Sequence, residues 1–178
     1  MALTTYAEAR PWAKAIKEEV MTRRMPKWHA ARGYGDFAND PSLSPFEIAL
    51  IRAWADGGAP LGEDLVTPGS AEKRDETVDT AGQNTSVSTV PCRTGRVFSG
   101  LLTAVRPVLS KGGSIGLAVT LPDGRTEVLA WIRNFDPDFA ETYRLRRPLA
   151  MPRGSRLVVV AEGAGDDCSV MLTRVPPR

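Results

Sequence analysis

The N-terminal part of the chain has the hydrophobic pattern of an amphipathic helix. Trp12, Ile16 and Val20 recur every four residues and would share one face, while charged residues occupy positions between them. Pro11 suits the first turn of this helix, where a missing N–H costs nothing. Pro26 disfavours helical backbone in the residue before it, so the pattern predicts a helix that ends by that point.

A second helix is predicted from position 45 by the residues that flank it. Ser44 and Glu47 have the spacing of a capping box, and Pro45 stands at the first helical position. Gly57 and Gly58 follow the last apolar positions and are typical of a helix C-terminus. Two helices of this length bury too little surface to be stable alone, so we expect further structure to complete them.

From residue 91 onward the pattern changes to short strands. Residues 122–125 (Pro-Asp-Gly-Arg) predict a hairpin turn, and residues 152–155 (Pro-Arg-Gly-Ser) predict another turn. Several short strands at regular spacing are typical of an antiparallel sandwich. The strand candidates are residues 96–105, 114–121, 127–129, 142–145, 157–160 and 169–174.

The segment between the helices and the strands has a different composition. Residues 63–90 are rich in Thr, Ser, Asp, Glu and Gly, which is typical of a flexible linker. We therefore expect an α+β chain with an incomplete helical part at residues 1–62, a linker at residues 63–90 and an antiparallel β-sandwich at residues 91–178.

The charge of the chain is nearly balanced. The 23 Lys and Arg residues exceed the 21 Asp and Glu residues by a formal net charge of +2. This balance favours neither nucleic acid nor an anionic membrane surface as a partner. No apolar run approaches the roughly 20 residues that a membrane helix needs, and residues 1–15 contain no apolar core of a signal peptide.

Few residues could bind a metal ion or act in catalysis. The chain has one histidine, His29, and two cysteines, Cys92 and Cys168. A zinc site of the usual kind needs three or four protein ligands, and no Gly-x-Ser-x-Gly motif, Walker loop or dinucleotide fingerprint is present. The sequence therefore assigns no enzymatic activity.

The two cysteines are candidates for a disulfide. Cys92 and Cys168 enclose a loop of about 75 residues. Closing a loop of that length by a disulfide in an oxidising compartment would stabilise the fold by roughly 4 kcal/mol. The alternative is two unrelated buried thiols, which are common in protein cores.

Four separated blocks of the N-terminal part resemble one family. Together they resemble the cytochrome c-like domain of large bacterial proteins in which that domain is fused to copper monooxygenase-like β-sandwiches. The resemblance covers residues 1–62 and implies haem c, electron transfer with a redox partner that the sequence does not identify, and a periplasmic location. The blocks are residues 3–16, 24–30 (Arg-Met-Pro-Lys-Trp-His-Ala), 39–44 and 47–60.

The resemblance implies a haem ligand at Met25. In that family a Met-Pro block supplies the second axial ligand, and a thioether there raises the reduction potential of the iron. Judged from the residues alone, Met25 would be a core methionine between the helices. His29 is interpreted as a loop histidine near Trp28 rather than as a ligand.

The covalent attachment site for haem is missing from these residues. In the family, a Cys-x-x-Cys-His segment precedes the matching blocks, and its thiols and imidazole hold the haem. No such segment occurs among the 178 residues. Two explanations are open: the true start lies upstream of Met1, or the chain is a remnant that has lost its cofactor.

Residues 96–163 resemble the C-terminal sandwich of peptidylglycine-type, ascorbate-dependent copper monooxygenases. In that family a His-x-His pair follows an Arg-Pro block and helps to bind copper. The corresponding positions here are Val108 and Ser110, whose side chains cannot replace imidazole. We therefore expect no copper and no oxygenase activity.

Two functions follow as expectations. The first is haem-dependent electron transfer by a longer product that carries the attachment segment. The second is a non-catalytic binding or structural module that has lost its copper ligands. Its surface would include a basic patch, although a run of charge is more often a solvated face, which is the interpretation that we prefer. The patch residues would be Arg144, Arg146, Arg147, Arg153 and Arg156.

Overall fold

The chain has a mixed α+β fold dominated by an antiparallel sheet. The computed structural model describes residues 3–62 and 85–176. Within them no helix is long and apolar enough to cross a membrane. The helices are α1 (Tyr6–Ala9), α2 (Ala13–Met21) and α3 (Pro45–Asp56), with 3₁₀ helices at Arg10–Trp12 and Pro137–Phe139. The strands are β1 (Ser86–Pro91), β2 (Arg96–Val108), β3 (Ser114–Thr120), β4 (Thr126–Ile132), β5 (Tyr143–Glu162) and β6 (Ser169–Val175).

The chain divides into two units, which we call the helical unit and the sheet unit. The helical unit contains Met1–Trp28 and Pro41–Asp75, and the sheet unit contains His29–Asp40 and Glu76–Arg178. This division differs from a boundary at residue 62, because residues 29–40 belong with the strands. The predicted linker at residues 63–90 lies outside the described residues except at its end, where β1 begins at Ser86.

Helix α3 begins and ends as its sequence predicts. The Glu47 backbone N–H donates to Ser44 Oγ over 3.2 Å, and the Ser44 N–H donates to Glu47 Oε2 over 2.7 Å, so the capping box is confirmed. Gly57 closes the helix, its N–H donating to the Ala53 carbonyl. Gly58 follows with a positive φ of 85°, which a glycine adopts without strain.

Helix α2 ends earlier than Pro26 requires. Its last residue is Met21, and Arg23 has a positive φ of 56° that no α-helix accommodates. The Thr22 hydroxyl donates to the Glu18 carbonyl over 2.7 Å, which satisfies one of the last helical acceptors. The helix is therefore closed by its own last turn, and the proline lies beyond it.

Two polar contacts connect the elements of the helical unit. Lys17 Nζ on α2 donates to Asp56 Oδ1 at the end of α3, and Tyr6 OH on α1 donates to the Ala59 carbonyl over 2.8 Å. The hydrogen bond from Lys17 lowers the pKa of the Asp56 carboxyl below its ordinary value. These contacts join α1, α2 and α3 although few side chains are buried among them.

The sheet unit contains one six-stranded antiparallel sheet in the order β1-β6-β2-β5-β3-β4. The predicted hairpin between β3 and β4 is confirmed, because the Leu121 N–H donates to the Arg125 carbonyl over 2.8 Å and Ile115 pairs with Ile132. Large apolar side chains on strands β2 to β6 are buried. They include Leu102, Val105, Ile115, Leu117, Val119, Ile132, Leu157, Val170 and Leu172.

Strand β5 runs without a reversal through the turn predicted at residues 152–155. Phe98 pairs with Ser155 and Gly100 pairs with Met151, so β5 has three residues where β2 has only Ser99. The Ser155 hydroxyl donates to the Pro152 carbonyl over 2.7 Å within this bulge. The turn residues therefore bend one long strand, as bulges do, and do not join two short strands.

Residues 29–40 are fastened to the sheet by backbone and side-chain hydrogen bonds. Asn39 Nδ2 donates to the Thr142 carbonyl over 2.8 Å, and its Oδ1 accepts from the Arg144 N–H over 3.0 Å. Arg146 Nε donates to Asp36 Oδ1 over 2.9 Å. Phe37 is only 4% exposed and its ring lies 5.4 Å from that of Tyr143.

Replacing Phe37 by alanine should destabilise the sheet unit. A buried aromatic ring in contact with Tyr143 would be lost, which typically lowers the free energy of unfolding by about 3–5 kcal/mol. Urea unfolding followed by circular dichroism measures this. Phe46→Ala is the matched control, because Phe46 is 70% exposed and its truncation should cost less than about 1 kcal/mol. Equal losses in both variants would show that residues 29–40 do not belong to the core.

The pKa of Asp56 should report the contact between α2 and α3. Because the folded pKa is depressed, this ion pair stabilises the fold above the unfolded pKa of the carboxyl, and its contribution is lost as pH falls through the folded pKa. An NMR titration of the carboxyl carbon measures the value. Lys17→Met should raise it towards the ordinary value, whereas Lys14→Met should leave it unchanged. An Asp56 pKa that does not respond to Lys17→Met would contradict the contact.

Candidate functional sites

Met25 lies on the surface of the helical unit. It follows α2 and its backbone N–H donates to the Glu19 carbonyl over 3.2 Å. Its side chain is 47% exposed, so it is not a core methionine packed between the helices. The thioether sulfur therefore stands where a ligand could approach it.

Among its described residues, the helical unit has more large apolar side chains exposed than buried. Among its described residues only Ala13, Val20 and Ala59 are buried hydrophobics. A large contiguous apolar patch usually marks a surface that another group covers. The exposed large apolar side chains are Leu3, Trp12, Met21, Met25, Phe46, Leu50 and Leu61.

His29 and both cysteines belong to the sheet unit. The His29 ring lies 5.7 Å from the ring of Phe135, and its backbone carbonyl accepts from the Arg133 N–H over 2.9 Å. Nearby, burial raises the pKa of Tyr143 well above its ordinary value. The helical unit thus offers Met25 as a donor but contains neither a histidine nor a cysteine among its described residues.

Cys92 and Cys168 are bonded to each other in a disulfide. Their Cα atoms are 5.3 Å apart, and the Cys92 N–H donates to the Cys168 carbonyl over 2.8 Å. The bond lies at the end of the pairing between β1 and β6, where Pro91 faces Ser169. The disulfide therefore links the end of β1 to the start of β6.

The two positions that the resemblance to copper monooxygenases would align with copper ligands carry other chemistry. Val108 ends β2 opposite Ser169, and the Ser110 backbone N–H donates to Asp167 Oδ2 over 3.2 Å. Hydrogen bonding from the Ser110 side chain is the main cause that lowers the pKa of the Asp167 carboxyl below its ordinary value, and the bond from the Ser110 backbone adds to it. Across residues 3–62 and 85–176, no three His, Cys, Asp or Glu side chains cluster closely enough to hold a metal ion. The side chains at positions 108 and 110 do not fit copper.

A basic depression, which we call the cationic hollow, opens on the sheet unit with a volume of about 500 Å³. Three arginines from β2, β5 and β6 line it. Arg174 Nη1 donates to the Ser99 carbonyl over 2.8 Å and its Nη2 donates to Ser88 Oγ over 2.9 Å. The hollow is lined by Ser88, Arg96, Val97, Phe98, Ser99, Arg153, Gly154 and Arg174.

A second depression of about 240 Å³ has apolar walls. Trp131 lies over Gly116, where a Cβ would come within 2.8 Å of the indole ring, so a larger residue would push the ring aside. The Tyr34 ring is 6.2 Å from that of Trp131. Val128 and Val160 are exposed at the rim.

The five arginines that are close in sequence, for which a solvated face was preferred to a basic patch, do not all line the cationic hollow. Arg146 is paired with Asp36, and of the five arginines only Arg153 lines the cationic hollow. Its neighbours there, Arg96 and Arg174, come from distant parts of the chain. Sequence proximity could not find this cluster because strand pairing, which is not readable from charge, brings the three together.

Comparisons with protein-family models, curated proteins and solved structures found no match for this chain.

Removing the disulfide should destabilise the sheet unit. The double variant Cys92→Ala/Cys168→Ala frees a loop of about 75 residues, so its free energy of unfolding should fall by about 2–4 kcal/mol in urea. A reductant should lower the stability of the natural chain by a similar amount and leave the double variant unchanged. Equal stability of the natural chain with and without reductant would contradict this.

Proposed function

We propose that the helical unit is part of a haem c electron-transfer domain, with Met25 as the axial thioether ligand. The observation that carries the proposal is the exposed apolar surface of this unit, which includes Met25 itself. A haem and the segment that attaches it would cover such a surface. The resemblance of residues 1–62 to cytochrome c-like domains supports the same assignment.

The residues of the helical unit fit one part of a haem site. Met25 supplies a soft, exposed sulfur, and Trp12, Phe46 and Leu50 supply apolar side chains of the kind that surround a porphyrin. Phe46 and Leu50 are four residues apart on α3 and share a face. Bound haem would supply one-electron redox chemistry. The anchoring thiols are not among these residues, because both cysteines are joined in the sheet unit.

We further propose that the sheet folds over itself as a sandwich. The parts of the sheet on either side of β5 each have buried side chains, represented by Leu102 on β2 and Leu117 on β3. The described part of the sheet unit contains no α-helix that could cover these faces. The long strand β5 pairs with β2 in its first part and with β3 in its last, so its bend would turn the two faces towards each other.

A periplasmic location is part of the proposal. It is implied by the family resemblance, and the disulfide between Cys92 and Cys168 supports it, because such bonds persist in oxidising compartments.

A second candidate function, a non-catalytic binding module, is favoured by the sheet unit. This unit has a buried core of its own and two surface depressions, and the positions corresponding to copper ligands are Val108 and Ser110. In this view the sheet unit recognises a ligand or a partner and the helical unit alone takes part in electron transfer.

The function is tested by extending the coding sequence upstream. We expect an in-frame Cys-x-x-Cys-His segment within a few dozen codons, and we expect the extended product to carry covalent haem in a host able to attach it. Met25→His should then lower the reduction potential, since a methionine ligand raises it relative to histidine. Met21→Leu is the control and should leave the potential unchanged, because Met21 is similarly exposed, at 45%, but is not the proposed ligand.

Oxidation by peroxide provides a second readout. In the haem-free chain both exposed methionines should be converted to sulfoxides at similar rates, as measured by mass spectrometry. In the extended, haem-loaded product Met25 should be protected and Met21 should not. Two results together would eliminate Met25 as the ligand. They are a reduction potential that Met25→His leaves unchanged, and a Met25 oxidation rate in the haem-loaded product equal to that in the haem-free chain.

A further inference from the structure

The cationic hollow brings together three arginines that are far apart in the sequence. Arg96 begins β2, Arg153 lies in the bulge of β5, and Arg174 is near the end of β6. None of the three forms an ion pair within the part of the chain that the structure describes. No Asp or Glu occurs among the residues that line the hollow.

Arg174 is held in place by neutral groups. Its two terminal nitrogens donate to the Ser99 carbonyl and to Ser88 Oγ, and its guanidinium lies 4.8 Å from the centre of the Phe98 ring. Its Nε is buried and has no hydrogen-bond partner among the described residues. A guanidinium that is already ordered loses little conformational entropy when it binds a ligand.

The other two arginines differ in how firmly they are held. Arg96 Nη1 donates to the Thr89 carbonyl over a long 3.3 Å, and the exposed Arg153 lies on the opposite strand across the bulge. Each guanidinium carries five N–H donors, so most of the donors in the hollow are left for a ligand. Because like charges repel, three cations around one depression favour the binding of an anion between them.

The chemistry of the hollow selects the ligand. Planar guanidinium groups bind phosphate oxygens with two parallel hydrogen bonds, and several of them together match a group with more than one negative charge. The volume of about 500 Å³ accommodates such a group together with part of the molecule that bears it. We propose that the cationic hollow is a binding site for a multiply charged oxyanion of the phosphate type.

The site is tested by titrating the full chain with inorganic pyrophosphate at low ionic strength, using isothermal calorimetry. Arg96→Gln and Arg153→Gln should each weaken binding about tenfold, the effect of losing one charge-assisted contact. Arg147→Gln is the matched control, because Arg147 lies on β5 like Arg153, is exposed and does not line the hollow. It removes the same charge, so binding should be unchanged.

A second arm identifies the source of the phosphate. Vesicles containing phosphatidic acid replace pyrophosphate in a sedimentation assay with the same three variants. Binding to vesicles alone, with the same dependence on Arg96 and Arg153, would support the site and assign the phosphate to a lipid headgroup. Equal weakening by all three substitutions would show attraction to net charge only and would overturn the site, as would the absence of binding in both arms. These outcomes do not depend on haem.

Discussion

The antiparallel pairing of β5 is the interaction on which the sheet unit depends. This 20-residue strand pairs with β2 over its first part and with β3 over its last. It therefore joins strands β1, β6 and β2 to strands β3 and β4. Its first residues also accept the segment at residues 29–40, through Asn39 and Phe37. Its bulge supplies Arg153 to the cationic hollow. One continuous strand therefore sets the core, the attachment of a distant segment and a surface site.

Local sequence signals predicted the elements whose causes are local. The capping box of Ser44 and Glu47, the glycines after α3 and the hairpin turn at residues 122–125 all depend on groups within a few positions of each other. The turn predicted at residues 152–155 has the right residues, but here the ladder with β2 continues on both sides. Pairing across the sheet decides whether such residues reverse the chain or bend a strand, and the local sequence does not predict that pairing.

Long-range pairing also explains what the sequence pattern missed. Residues 29–40 contain Gly, Asn and Asp and read as a loop between helices, yet Phe37 is buried against Tyr143, more than a hundred residues later. Strand β1 begins at Ser86 within a polar segment and is specified by its ladder with β6. The three arginines of the cationic hollow belong to the same class of feature. Charge and periodicity identify each residue, but only the strand order β6-β2-β5 brings them to one place.

The use of sulfur separates the two units chemically. In the sheet unit both cysteines are joined to each other, so neither has a thiol left to form a thioether with haem. In the helical unit the thioether sulfur of Met25 is exposed, and several other large apolar side chains are exposed as well. A ligand without an anchor gives only weak hold on a porphyrin, so the proposed electron transfer requires thiols and an imidazole supplied from outside residues 1–178. An oxidising compartment such as the periplasm favours the disulfide, and it is also the location that the family resemblance implies for haem c.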